Sequence, residues 1–90
     1  MPSVLIVEGE AIVARMLAEV FTFKGWRAET HSEKTSTLDA LASNRHYDVI
    51  VTSYRIPGTS GVELARIAAG LDHRRTTPIV LITGLPVRAM

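Results

Sequence analysis

The feature that most constrains the fold is a regular alternation of short, almost uncharged apolar runs with longer segments of helical period. The apolar runs are rich in β-branched residues, which is typical of strands covered on both faces of a parallel sheet. They lie at residues 4–7, 47–52 and 78–82, and the more polar segment 27–31 has the pattern of an edge strand. The intervening segments predict three helices, at residues 11–24, 32–44 and 62–71.

This β-α-β-α-β-α-β order predicts an α/β fold in which right-handed helical crossovers join parallel strands. Ninety residues are enough for one small domain, which we expect to span residues 1–90. A hydrophobic content of 47% is ample for a core and argues against disorder.

Charge and composition exclude several classes of protein. A formal net charge of +1 gives no strong attraction to nucleic acid or to an anionic membrane. The only basic cluster, His73, Arg74 and Arg75, is interpreted as a solvated turn. There is no cysteine, so disulfides and thiol chemistry are excluded. The first apolar run stops at Glu8 and has no basic lead, so it predicts neither a signal peptide nor a membrane span, and the expected location is the cytoplasm.

Residues 48–61 have the order expected around a site. A buried strand ends near Ser53, Pro57 and Gly58 turn the chain, and Gly61 opens a helix. Because ligands of open α/β sheets bind outside the carboxyl ends of the strands, Ser53 is the central candidate for chemistry.

Three segments in this order resemble the receiver domain of two-component response regulators. They are Val4-Leu-Ile-Val-Glu-Gly-Glu10, the stretch 48–61, and Pro78-Ile-Val-Leu-Ile-Thr-Gly84. The resemblance covers residues 4–83. It implies a flavodoxin-like, doubly wound parallel sheet of strand order 2-1-3-4-5, a role in phosphorelay signalling, a phosphorylated aspartate and acidic residues that hold magnesium.

The departures from the family pattern fall on the residues that carry its chemistry. The position of the phospho-acceptor aspartate is Ser53, and the two adjacent acids correspond to Glu8 and Gly9, followed by Glu10. The hydroxyl residue that senses the phosphoryl group is retained as Thr83, and the turn is retained as Pro57-Gly58. The lysine of the fifth strand has no counterpart.

These departures predict a site without phosphoryl chemistry. Gly9 and Ser53 remove two of the three carboxylates that the family supplies, so we expect no magnesium site and no other cofactor. Serine is a weak nucleophile without an activating base. Neither His46 nor His73 is expected at the same end of the sheet, and the first strand is expected to separate His31 from Ser53.

The resemblance also predicts that the fifth strand and the fifth helix are missing, which leaves the strand order 2-1-3-4. The fourth strand then becomes an apolar edge, and long apolar edges invite pairing with another chain. The predicted interface comprises Ile79, Val80, Leu81 and Ile82 with Phe21 and Phe23 of the first helix. We expect a homodimer through the fourth strand, the first helix or both; the alternatives are a different signalling protein as partner, or residues 85–90 folding back over the edge.

The sequence thus predicts a degenerate receiver that acts as a phosphorylation-independent interaction module and not as an enzyme. One alternative is an active phosphorelay receiver with Ser53 or Glu8 as an unusual acceptor. Another is a sensor of small ligands or anions, with a pocket made from the Gly9, Ser53 and Thr83 region. Neither nucleic acid nor membrane is an expected partner.

Overall fold

The computed structural model describes residues 1–83, in which six strands and three α-helices alternate. The long strands are β1 (Ser3–Val7), β2 (Arg27–His31), β3 (Val49–Ser53) and β6 (Ile79–Ile82). The short strands β4 (Arg55–Ile56) and β5 (Thr59–Ser60) form an antiparallel hairpin between β3 and the third helix. The helices are α1 (Ala11–Phe23), α2 (Lys34–Ala42) and α3 (Gly61–Ala69), followed by a 3₁₀ turn at Asp72–Arg74.

The four long strands form one parallel sheet in the order β2-β1-β3-β6. This order confirms the predicted doubly wound topology, in which the fourth predicted strand is β6. The predicted behaviour of residues 85–90 concerns a segment outside the described residues. Within residues 1–83, no helix is long and apolar enough to cross a membrane.

The central strand β1 divides the core into two layers, because alternate side chains point to opposite faces. Leu5 and Val7 pack with side chains of α2 and α3 on one face. Val4 and Ile6 pack against side chains of α1 on the other. All five residues of β1 are buried, as the uninterrupted apolar run predicts.

The predicted bounds of several elements need correction. α2 begins at Lys34 and not at Ser32, because Glu33 caps it by accepting hydrogen bonds from the backbone N–H groups of Ser36 and Thr35. These hydrogen bonds lower the pKa of Glu33. β3 begins after Asp48, whose carboxylate accepts a 2.7 Å hydrogen bond from the Ser3 N–H.

The predicted solvated turn at residues 73–75 is wrong for Arg74. Its side chain is only 3% exposed and lies beneath the carboxyl end of α2. Nε donates to the carbonyl of Leu41 at 3.0 Å, and Nη2 donates to those of Ala40 and Ser43 at 3.1 and 2.8 Å. The guanidinium carbon lies 4.6 Å from the ring centroid of Tyr47. Arg74 therefore caps α2, where the helix dipole favours a cation.

A polar cluster around Glu29 joins β2 to the segment before β3. The Glu29 carboxylate accepts hydrogen bonds from the Arg45 guanidinium at 2.9 Å and from the Tyr47 hydroxyl at 2.9 Å, and His31 Nε2 lies 2.7 Å away. Burial acts to raise the pKa of Glu29, but the hydrogen bonds from Arg45, His31 and Tyr47 outweigh it and lower the pKa to about 2 from an ordinary 4.5. The ionised form of Glu29 therefore stabilises the folded state.

This lowered pKa predicts a pH-dependent contribution to stability. A depressed carboxyl pKa stabilises the fold fully above about 4.5, and the contribution is lost as the pH falls from there through about 2. We expect Glu29→Gln to reduce the slope of unfolding free energy against pH in this window, measured by urea unfolding at a series of pH values. Arg45→Gln, which removes the donors but keeps the carboxyl, should also reduce the slope. If both variants showed the same slope of unfolding free energy against pH as the wild type, the pH dependence would not come from Glu29.

Candidate functional site

The candidate site lies at the carboxyl ends of β1 and β3, which the parallel register brings side by side. Val7 is the register partner of Thr52, so the next residues, Glu8 and Ser53, emerge next to each other at the same edge of the sheet. The structure therefore brings together the two predicted site residues that carry reactive oxygen atoms.

Glu8 and Ser53 bind each other. The Ser53 hydroxyl donates a hydrogen bond to Oε1 of Glu8. Oε2 of the same carboxylate accepts a hydrogen bond from the Glu10 backbone N–H at 3.0 Å. Glu8 is 8% exposed, whereas Glu10 lies on the surface just before α1. Both oxygen atoms of Glu8 are thus engaged within the protein, and the hydroxyl of Ser53 points at a carboxylate.

The turn of the β4–β5 hairpin lies against the residues that follow β1. A Cβ atom built on Gly9 would lie 2.9 Å from Cδ of Pro57, closer than real Cβ contacts. Gly58 has a φ of +86°, a left-handed conformation that favours glycine in this turn. The glycine in place of the family's second acid therefore leaves room for the proline ring.

The start of α3 approaches the end of β3 at Gly61. A Cβ atom there would lie 2.4 Å from the Ser53 carbonyl oxygen and 2.6 Å from Cδ1 of Leu81. Only a residue without a side chain allows the helix to begin so close to the strand. The predicted helix start at Gly61 thus has a packing reason in addition to its local turn.

Thr83 is exposed and follows β6 directly. The last residue of β6, Ile82, is the register partner of Ser53, and its carbonyl accepts a 2.9 Å hydrogen bond from the Tyr54 N–H. Thr83 therefore follows the strand next to that of Ser53, at the same edge of the sheet as Glu8.

The three histidines lie where the sequence places them. His31 ends β2 at the same edge as Ser53, but β1 lies between the two, and the imidazole contacts Glu29. His46 precedes β3, where its Nε2 lies 3.0 Å from Asp48 Oδ1. His73 lies before β6, with Nε2 at 2.9 Å from the Leu41 carbonyl. Each ring therefore has a contact of its own, remote from Ser53.

The donor set at this edge supplies one carboxylate, that of Glu8. Among residues 1–83, no group of three or more histidine, cysteine, aspartate or glutamate side chains is arranged to hold a metal ion. Magnesium in proteins binds oxygen ligands in a near-octahedral shell and usually takes one or two carboxylates together with waters and phosphate. Glu8 is the carboxylate that lies beside Ser53, and its two oxygen atoms accept hydrogen bonds from the Ser53 hydroxyl and the Glu10 N–H.

The predicted interface residues fall into two groups. Phe21 packs inside the protein, edge-on to Trp26 with ring centroids 5.3 Å apart, and Ile79 and Ile82 pack against the two core layers. Phe23 is 87% exposed, and Val80 and Leu81 are 49% and 40% exposed. The side chains available to a partner are therefore the last three.

Sequence reasoning named Phe23 of α1 as an interface residue, and its side chain is exposed. It did not identify Ile12, Met16 and Val20 one by one as exposed, because the apolar period does not tell which part of the helix the sheet covers. It also did not identify the contact between Pro57 and Gly9. A Pro-Gly turn following a strand is a sequence signal for a closed loop, although it does not show that the loop reaches β1.

A four-stranded parallel sheet with helices on both faces, and with polar side chains at the carboxyl ends of β1 and β3, defines an open α/β protein of receiver type. The chain belongs to the response regulator receiver domain family, whose family model matches residues 4–88. This membership confirms the resemblance seen in the sequence.

Curated relatives include a transcriptional regulatory protein and a response regulator. The chain is 32% identical over 81 residues to the phosphate regulon transcriptional regulatory protein PhoB of Pseudomonas aeruginosa, which covers 90% of this chain and 35% of the relative. It is 31% identical over 83 residues to the response regulator ArlR of Staphylococcus aureus, and this match covers 92% of this chain and 36% of the relative. The chain thus spans about a third of the length of these relatives.

Solved structures show the same fold. A CheY-like receiver domain from Methylobacillus flagellatus superposes with a TM-score of 0.85 at 28% identity, covering 94% of this chain and 71% of the other. The receiver domain of the sensor histidine kinase PA1611 from Pseudomonas aeruginosa, which has a magnesium ion coordinated in its active site cleft, superposes with a TM-score of 0.86 at 18% identity, covering 97% and 70%. The second likeness is one of fold alone.

Proposed function

We propose that this receiver domain works by binding other proteins, and that it neither accepts nor transfers a phosphoryl group. The observation that carries the proposal is the hydrogen bond between the Ser53 hydroxyl and the Glu8 carboxylate. The position at which the resemblance places the acceptor aspartate holds no carboxylate, so it cannot form an aspartyl phosphate. The domain would then be a constitutive interaction module in two-component signalling, and not an enzyme.

The electrostatics of the site support this proposal. A phosphoryl group that approached Ser53 would bring its negative oxygens next to the buried carboxylate of Glu8. Like charges at such a separation repel strongly where water is excluded. With Gly9 in place of the second acid, the residues at this edge also fail to supply the ligands by which magnesium would offset that repulsion.

One observation favours a second function, an active receiver that uses Ser53 as an unusual acceptor. A hydroxyl that donates to a carboxylate has the geometry of a nucleophile with a general base. The same carboxylate also accepts a hydrogen bond from the Glu10 N–H, so it is shared between two donors and is not dedicated to Ser53. We therefore place this function second.

A phosphodonor experiment separates the two functions. The full chain is incubated with acetyl phosphate and magnesium, together with a receiver domain that retains its acceptor aspartate as an internal positive control. We expect the intact mass of this chain to stay unchanged while the control gains one phosphoryl group.

A gain of one phosphoryl group by this chain would overturn the proposal. If Ser53→Ala then abolished the gain, Ser53 would be the acceptor, and the adduct would resist hydroxylamine. If Glu8→Gln abolished it and hydroxylamine released the group, Glu8 would be the acceptor, because acyl phosphates react with hydroxylamine and phosphate esters do not.

A further inference from the structure

We propose that α1 pairs antiparallel with α1 of a second copy of this chain, across a twofold axis near residues 17–18. This inference rests on the proposed function, since it names the partner of the interaction module. The surface involved is an apolar stripe along α1, formed by Ile12, Met16, Val20 and Phe23 and called the α1 stripe below.

The α1 stripe is exposed to an extent that is unusual for apolar side chains. Ile12 is 75% exposed, Met16 and Val20 are each 59% exposed, and Phe23 is 87% exposed. Their spacing of four, four and three residues keeps them on one side of an α-helix, over a length of about 16 Å at 1.5 Å per residue. A continuous exposed apolar strip of this kind marks an interaction surface.

The α1 stripe lies on the flank of α1 that is turned away from β2. Leu17 and Phe21 point into the core layer between α1 and the sheet. Ala14 and Ala18 line the groove that α1 forms with Thr30 and His31 of β2. At about 100° per residue, the α1 stripe falls on the opposite flank, above the half of the sheet that contains β3 and β6.

The arrangement of residues along α1 favours a second copy as the occupant. An antiparallel helix pair with its twofold axis near residues 17–18 places Met16 opposite Val20 of the partner subunit and Ile12 opposite Phe23 of the partner subunit. The apolar side chains therefore meet one another along the whole contact, as an isologous interface requires.

Charge complementarity points to the same register. Arg15 and Glu19 are exposed on one side of the α1 stripe. Their midpoint is residue 17, within one residue of the midpoints of the two apolar pairs, so Arg15 faces Glu19 of the partner subunit, and the twofold axis repeats this pair.

The exposed edge of β6 is the other candidate surface for self-association. The backbone groups of Val80 and Ile82 face β3. The carbonyl of Pro78 accepts a hydrogen bond from a backbone N–H of β3, and the carbonyl of Ile82 accepts one from the N–H of Tyr54. Ile79 and Leu81 consequently direct their backbone groups outward. The edge offers backbone groups to any strand, whereas the α1 stripe has a pattern that matches itself, so we assign the contact to α1.

The oligomeric state of the full chain tests this assignment directly. Light scattering across micromolar concentrations should give a mass that rises from one chain of 9.8 kDa toward two as the concentration increases. Met16→Glu should hold the mass at one chain over the same range, because it places a carboxylate at the centre of the contact. Thr22→Glu, which adds the same charge to an exposed position away from the α1 stripe, should dimerise like the wild type.

Charge reversal tests the register. Glu19→Arg should raise the dissociation constant by about tenfold, since two exposed ion pairs become two repulsive pairs. The double variant Arg15→Glu/Glu19→Arg should restore the wild-type value. Far-ultraviolet circular dichroism and thermal melting of each variant would verify that the fold is retained.

Two results would overturn the inference. One is a wild-type mass of a single chain at every concentration. The other is a Met16→Glu variant that still dimerises while Val80→Lys, at the exposed edge strand, does not. Neither result depends on a phosphodonor, so a failure here is distinguishable from a failure of the proposed function.

Discussion

Replacing Arg74 with methionine is expected to lower the free energy of unfolding by about 3 kcal/mol. Methionine can fill much of the space, but it leaves the carboxyl end of α2 without the guanidinium donors that now bind the carbonyls of Ala40, Leu41 and Ser43. Three hydrogen bonds from a buried charged donor are lost together, and the contact of the guanidinium with the Tyr47 ring is lost as well.

Urea unfolding followed by circular dichroism measures this effect. The matched control is Arg75→Met, since Arg75 is the next residue in the chain, is 64% exposed and pairs with Asp72 on the surface. We expect the control to change the unfolding free energy by less than about 0.5 kcal/mol. Equal midpoints for the two variants would show that Arg74 is not a structural cap.

Gly61→Ala is expected to destabilise the domain by about 3 kcal/mol, although alanine is the better helix former. The added methyl group would lie 2.4 Å from the Ser53 carbonyl oxygen, a backbone atom that cannot rotate away. Relief requires α3 to move away from β3, and that movement would also disturb Leu81, whose Cδ1 lies 2.6 Å from the same point.

Thermal melting of Gly61→Ala should show a midpoint lowered by about 15 °C, given the size of the domain. Gly70→Ala provides the control, because Gly70 follows α3 with a φ of −84° and a Cβ there would lie 3.5 Å from its nearest neighbour. It should leave the midpoint almost unchanged. A similar small shift for both glycines would mean that the start of α3 is not held tightly against β3.

The fold was predictable from the sequence because its two inner strands, β1 and β3, are covered on both faces. Uninterrupted runs such as Val4-Leu-Ile-Val7 leave few alternatives to a parallel sheet, and the helical segments between them fix the crossovers. The placement of Ser53 beside Glu8 follows from the same register. The predicted topology therefore agrees with the structure.

Features that depend on long-range contacts were not predictable in the same way. Arg74 resembles any loop arginine in the sequence, and only the position of α2 more than thirty residues earlier makes it a cap. The apolar period of α1 marks a helix, but it does not separate the covered side chain of Leu17 from the exposed side chain of Met16. In both cases the role of the side chain is decided by the elements that lie next to it in the fold and not by the local sequence pattern.

The central position of β1 has a consequence for the order in which the chain can assemble. β1 precedes β2, β3 and β6 along the chain, yet its register partners in β3 begin at Val49. Until that residue is available, the apolar side chains of β1 have only β2 and α1 to pack against, and the face later covered by α2 and α3 stays open. The N-terminal half of the domain therefore cannot complete its core until the C-terminal half has been synthesised. During synthesis this makes β1 the segment most exposed to misfolding and aggregation.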